Sequence, residues 1–449
     1  MLFNLKASHR VKPAEQTPQE TMYLSECDQI SSPYHVPSIY FYAPASYPIL
    51  EQIDVLKKSL SKALVRFYPL AGRLKKASGG RLELDCNAMG ALLIEAESDS
   101  KMAEFGDFKP SHETLALAPN GTNLDFDSNP FQEVPLLLVQ VTKFSCGGIA
   151  VALGLCSTLV DGQSQGNFVN QWAKIARGED PGKPPFLDRR ILQPRESSLS
   201  PFGNCHNHLE FNPPPLLLGH SDNSQMLSKA TTVAMLKLST EQIVKLRNMA
   251  NESGIPNNNK RGYSRFEAIA GHIWKCASKV RRLHNQQQTR LDFPVDFRKL
   301  MKPTLPQDYF GRCTIQAVAI TTAGKLLSEP LGYASAKIRE AINMISDEYV
   351  RSHILYIKNQ QYRTKGQYEG NPNLYMTNWA GLSFSGVDFG WGKEIYTGPV
   401  RVSSEGKGYM LRSPDGDGSM ILALRLHLED MDPFKKLFYQ EIDGIISKY

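Results

Sequence analysis

Residues 149–155 set Ile149, Val151, Leu153 and Leu155 against Ala150, Ala152 and Gly154 in strict alternation. That period of two predicts a strand with one bulky face and one close-packed face. Beyond Asp161-Gly162 the period lengthens. Phe168, Trp172 and Ile175 recur at helical spacing through residues 167–177, and Gly178 follows as a stop. A strand, a tight turn and a helix place residues 156–162 on an exposed connection between two rigid elements, a frequent position for reactive groups. Alternation sends Cys156 and Ser157 to opposite faces, so only one of them is expected to face a channel.

Other segments carry the same two signals. Ile49, Ile53, Leu56, Leu60, Ala63 and Phe67 step along one helical face, which Pro69 and Gly72 end. Ser264 and Glu267 form a capping-box pattern ahead of Phe266, Ile269, Ile273 and Trp274. The basic run Lys279, Arg281 and Arg282 then complements the dipole at that helix's carboxyl end. Between these regions Pro181, Pro184, Pro185, Pro194, Pro201 and Pro213-Pro214-Pro215 deny the chain regular structure. Residues 181–225 are therefore expected to be a crossover between an N-terminal unit, 1–180, and a C-terminal unit, 226–449. Residues 257–260 and 285–288 are expected to be polar loops.

Composition narrows the function classes. A chain of 449 residues with 41% hydrophobic content can bury the cores of two domains. No apolar run approaches the roughly 18 residues of a membrane span, and Met1–Pro13 lacks a signal-peptide core, so a cytoplasmic protein without a membrane partner is expected. Cys27, Cys86, Cys146, Cys156, Cys205, Cys276 and Cys313 show no paired spacing; they read as free thiols, with no metal site. A net charge of +6 suits a phosphorylated ligand, while the clustered basic stripe that nucleic-acid binding needs is absent.

A series of short segments, in order, carries a family resemblance. It begins with Val11-Lys12-Pro13, Leu24-Ser25-Glu26, Ile39-Tyr40-Phe41-Tyr42 and Phe67-Tyr68-Pro69-Leu70-Ala71-Gly72-Arg73-Leu74. It continues through Asp161-Gly162-Gln163-Ser164, Trp172-Ala173-Lys174, Ala270-Gly271-His272-Ile273-Trp274, Val295-Asp296-Phe297-Arg298 and Tyr309-Phe310-Gly311. Thr377-Asn378-Trp379 and Asp388-Phe389-Gly390-Trp391-Gly392 complete it. The chain resembles the BAHD acyltransferases of plant specialised metabolism, and most of all the spermidine and shikimate hydroxycinnamoyltransferase group. The resemblance implies an α/β fold of the chloramphenicol-acetyltransferase type, with two similar-sized domains of mixed sheet and helices meeting at a solvent channel, and a monomer. In that family a motif histidine takes a proton from a hydroxyl or amine, which attacks the thioester of an acyl-coenzyme A.

Ser157 stands where the resemblance places that histidine. A serine hydroxyl does not accept a proton at neutral pH without a base of its own, and general-base catalysis is worth ~10²–10⁴ in rate. Arg312 is the second departure, since the family follows Tyr-Phe-Gly with asparagine; it is expected either to hold an anion or carbonyl or to pair with Asp308. The resemblance further implies that Asp161 pairs with Arg298 and that Asp161, Gly162, Arg298 and Asp388, Gly390, Trp391 and Gly392 maintain the fold. It places Thr377 and Trp379 at the acceptor and thioester. His35 aligns with a pocket wall and is the nearest replacement base, against a structural role; His272 reads as structural.

Three readings follow. In the first, the scaffold is redirected to chemistry that needs no imidazole, such as a conjugate addition joining small unsaturated-carbonyl alkaloids or phenolics. Ser157, Trp379 and Thr377 would then carry the reaction, and His35, Arg312 and Cys156 would hold the substrate. The second is acyl transfer to an amine or hydroxyl acceptor, polyamines included, with acyl-coenzyme A as co-substrate and no other cofactor. The third is a non-catalytic binding homologue.

Overall fold

The computed structural model describes residues 2–30, 33–45, 49–119, 129–194, 206–252, 262–359 and 370–444. The expected loop at 257–260, Cys205, and residues 195–205 of the expected crossover lie outside them. The described residues form two six-stranded mixed sheets with flanking helices, and a small three-stranded sheet of Thr21–Met22, Leu82–Asp85 and Arg73–Lys76. The first runs in the order Phe3–Val11, Ala91–Ser98, Leu137–Phe144, Ile149–Cys156, His35–Tyr42, Tyr396–Pro399. The second runs Thr314–Thr322, Gln288–Asp296, Leu374–Asn378, Lys407–Arg412, Met420–His427, Thr231–Leu238.

The alternation in 149–155 has a direct structural meaning. Ile149, Val151, Leu153 and Leu155 join the core beneath helices Ile49–Arg66 and Gly162–Ala176. Ala150 and Ala152 face the other way, into a core shared with Val233, Trp379, Tyr409 and Ala423 of the second half. The small residues let the second half approach the sheet closely. The two helices lock together where Trp172 Nε1 donates to Ser59 Oγ at 2.9 Å and Arg66 Nε to Gln171 Oε1 at 3.1 Å.

One strand crosses the expected domain boundary. Tyr396–Pro399 pairs antiparallel with His35–Tyr42, Tyr396 opposite Phe41, and so completes the first sheet. Residues 396–399 thus join the sheet built from residues 3–156, where Tyr396 packs on the rings of Phe41 and Phe108. The capping box forms as its residues predict: Ser264 N donates to Glu267 Oε2 at 2.6 Å and Glu267 N to Ser264 Oγ at 3.3 Å. Arg281 stands at the carboxyl end of that helix, and its buried guanidinium also bonds Glu405 Oε1 at 2.5 Å. The 285–288 loop is not wholly solvated either. Gln287 is buried and bonds Leu216 O and Leu218 N, pinning the crossover.

The crossover is anchored by charge. Arg189, fully buried, donates to Asp28 Oδ1 at 2.9 Å and to Leu159 O at 3.0 Å. Asp28 also accepts the Ser25 hydroxyl at 2.7 Å and the Arg312 N–H at 3.3 Å. One carboxylate thus ties the start of the chain, the crossover and the second half. Removing it strands a buried guanidinium, which costs about 3–5 kcal/mol. Asp28→Ala is expected to lose that much in urea unfolding, and an unchanged midpoint would refute the anchor.

Candidate active site

Where the sheets meet, a cavity of about 220 Å³ opens, lined from both halves. Strand ends supply its chemistry. Ser157 follows Ile149–Cys156, Tyr34 precedes His35–Tyr42, Asp296 ends Gln288–Asp296, and Thr377, Asn378 and Trp379 end the strand at Leu374–Asn378. Arg312 enters just before Thr314–Thr322. Gly162 packs against Leu382 of the wall, and a Cβ at that position would lie 2.5 Å from Leu382 Cδ1 and push that side chain aside.

Ser157 extends the sheet by one step. Its N–H donates to Tyr34 O at 2.8 Å, and its Oγ accepts the Tyr34 N–H at 3.2 Å. Among the described residues no acceptor takes the hydroxyl proton, so Ser157 can donate to a ligand. No histidine is among the described residues of the wall. Asp296 and Asp161 are its carboxylates.

The remaining expected site residues divide. Thr377 and Trp379 reach the cavity, the indole held edge-on by Phe384 at 4.8 Å and Tyr409 at 5.1 Å between ring centres. Arg312 lines the cavity too, whereas Asp308 faces a separate surface cleft beside Lys174; the expected alternative of an Arg312–Asp308 pair is corrected accordingly. Cys156 does not hold substrate. Strand alternation turns it into the first core, fully buried, and burial pushes its thiol up to about 12. His35 is outside the wall as well. Its Nε2 bonds Pro135 O at 2.8 Å, and burial lowers its pKa to about 4, outweighing that hydrogen bond, so it is a neutral ring over Gly154. His272 bonds Phe438 O inside its helix core.

Asp161 and Arg298 meet, and each does several jobs. Asp161 caps helix Gly162–Ala176 by accepting Ser164 N at 2.9 Å. It accepts Cys313 N at 2.9 Å and both terminal nitrogens of Arg298, at 2.8 and 3.0 Å. Arg298 continues to Gly311 O and Ser164 Oγ, each at 3.0 Å, and to Asp296 Oδ2 at 3.0 Å. Burial pushes the Asp161 carboxyl up, but Arg298 and the N–H donors pull it below its usual value. Asp296, half-exposed, is raised by burial, with Arg298 opposing. The segment at 388–392 lies elsewhere. Asp388 folds onto Gly390 N and Gly392 N, both glycines have positive φ, and Phe389 and Trp391 pack on Tyr42.

Tyr34, Asp296 and Asn378 are wall residues that the sequence reading passed over. Asp296 stood beside Arg298 in a motif already singled out. Asn378 was hidden by alternation, which would turn it from Thr377, but the strand ends there and the backbone bends.

The Asp161–Arg298 pair yields a stability prediction. Because the folded pKa is depressed, its contribution is full above the unfolded carboxyl value of about 4 and is lost as pH falls below it. Asp161→Ala should therefore cost about 3–5 kcal/mol at pH 7, and the gap from the parent should narrow in acid. Equal melting at pH 7 with turnover lost would make Asp161 catalytic instead.

A family model described as the Transferase family matches residues 2–441. The hydroxycinnamoyl-CoA:piscidic acid hydroxycinnamoyltransferase of Actaea racemosa is 41% identical over 98% of this chain and 99% of its own length. The shikimate O-hydroxycinnamoyltransferase of Nicotiana tabacum is 38% identical over 98% of this chain and 100% of its own. The structure of F. sporotrichioides TRI101 complexed with coenzyme A and T-2 superposes with a TM-score of 0.75 at 17% identity, covering 93% of this chain and 97% of that one. Sequence match along almost the whole chain and a shared two-sheet fold place this chain in the BAHD acyltransferase family.

Proposed function

We propose that this enzyme joins small unsaturated-carbonyl molecules, alkaloid or phenolic, by conjugate addition on a BAHD scaffold. The observation that carries this reading is Ser157 in a cavity whose described wall has no imidazole. Addition between two such molecules needs no leaving group. The carbon α to one carbonyl bonds to the β carbon of the other's double bond; the proton lost from the first passes to the Asp296 carboxylate on the wall and from there to the carbon α to the second carbonyl. The residues present suit those demands. Arg312 can take the charge that develops on a carbonyl oxygen, Ser157 can donate to the same oxygen, and Trp379 offers a flat face to the conjugated system. A thiol trigger from Cys156 is not part of the reading, given its burial.

The hydroxycinnamoyltransferases among its relatives favour a second reading: acyl transfer from a hydroxycinnamoyl-coenzyme A to an amine or hydroxyl, with no further cofactor. Asp296 would then be the proton acceptor within the wall, because Asp161 spends its lone pairs on Arg298, Ser164 and Cys313. A non-catalytic role is the third, and is set against an intact cavity with Thr377 and Trp379 in place.

Mass spectrometry of purified protein with unsaturated-carbonyl metabolites, with and without acyl-coenzyme A, separates the three. The expected product has the summed mass of its two precursors and forms without coenzyme A. Release of free coenzyme A in step with product would establish acyl transfer, and tight binding without turnover would establish the third.

Substitution at position 157 gives an independent expectation. Ser157→Ala should lower coupling at least tenfold through loss of one donor to the developing oxyanion. Ser157→His should yield little hydroxycinnamoyl transfer to spermidine or shikimate, and adding Arg312→Asn should recover only part, since one base does not rebuild acceptor recognition. Efficient transfer by Ser157→His alone would overturn the proposal.

A further inference from the structure

Outside the cavity, the crossover brings His208 and Glu210 against His353 of helix Asp347–Asn359. The three side chains are at most 4% exposed. Glu210 Oε1 lies 2.8 Å from His353 Nδ1 and 3.1 Å from His208 Nδ1, so one carboxylate oxygen and two ring nitrogens converge. As they stand, these contacts are hydrogen bonds from the two rings to one carboxylate oxygen; all three donor atoms lie within 4.8 Å of one another, and a zinc ion with bonds of about 2.0–2.2 Å would need the two contacts to open slightly.

The outer contacts suit ligation. Tyr349 donates its hydroxyl to Glu210 Oε2 at 2.5 Å, fixing the carboxylate. Ser352 Oγ lies 2.9 Å from His208 Nε2, and a hydroxyl serves that nitrogen as donor or acceptor. His353 Nε2 is buried with no partner among the described residues, while its Nδ1 donates to the Glu210 carboxylate. Ligation would replace the two Nδ1–H···Oε1 hydrogen bonds: each ring moves its proton to Nε2, where Ser352 can accept it from His208, and offers Nδ1 as a lone pair. Phe211 stacks on the His353 ring with centroids 5.2 Å apart and helps dry the site.

We propose that His208, Glu210 and His353 bind one divalent transition-metal ion, with zinc fitting the nitrogen and oxygen donors best. The ion staples the crossover to helix Asp347–Asn359, and a water completes its coordination. None of the three residues lines the cavity.

Tag-free protein stripped with a chelator and titrated with Zn²⁺ tests this. One equivalent should bind, and Tm should rise by about 5 °C or more at a hundredfold excess over Kd. Co²⁺ in its place should give the visible absorption bands of a four-coordinate nitrogen and oxygen site. Glu210→Gln and His353→Gln should each weaken binding at least tenfold, with His208→Asn as the milder variant if those do not fold. Wild-type protein that takes up no Zn²⁺ below about 10 µM and shows no cobalt bands overturns the site. So does stoichiometric binding that persists unchanged in any folded variant.

Discussion

The guanidinium of Arg298 is the contact on which the site depends. It reaches Asp161 and Ser164 at the start of a helix in the opposite half, and Gly311 and Asp296 in its own. A buried charge of this kind is tolerated only when its partners meet it with good geometry, and here they come from segments far apart in sequence. The turn at 157–161 is consequently fixed relative to the second sheet, and so is every side chain it carries into the cavity.

That rigidity bears on what Ser157 can do. A flexible loop could bring a distant base to a substrate, but a turn capped by Asp161 and paired to Tyr34 keeps the hydroxyl where it is. Chemistry in the cavity must then come from groups already on its wall. Among these are the Ser157 and Thr377 hydroxyls, the Arg312 guanidinium, the Trp379 indole and the half-exposed Asp296 carboxylate, a set better at stabilising charge on oxygen than at accepting a strongly held proton.

The sequence displayed local order more openly than contacts between distant segments. Alternation in 149–155 and the Ser264–Glu267 box are short-range patterns, and each appears in the fold as its residues imply. Cys156 and Ser157 also part to opposite faces as alternation requires. Which one faced the cavity was not legible, because that depends on what packs on each side. His35 shows the same limit: its position in the motif pointed to the wall, while the carbonyl of Pro135, a hundred residues away, decides its orientation. Asp296 needed the end of a strand to be known before its side chain could be assigned to the cavity. The cluster of His208, Glu210 and His353 joins two segments with no shared pattern at all.

The edge strand Tyr396–Pro399 imposes an order on biogenesis. During synthesis the first half emerges with His35–Tyr42 as an open edge, and the strand that covers it comes from near the end of the chain. An uncovered edge is a template for pairing with another molecule. The nascent first sheet must therefore stay incomplete while most of the second half is translated, and contacts of such long sequence separation form slowly. Shortening the chain before residue 396 would not release a self-sufficient half, but leave a sheet missing its last strand.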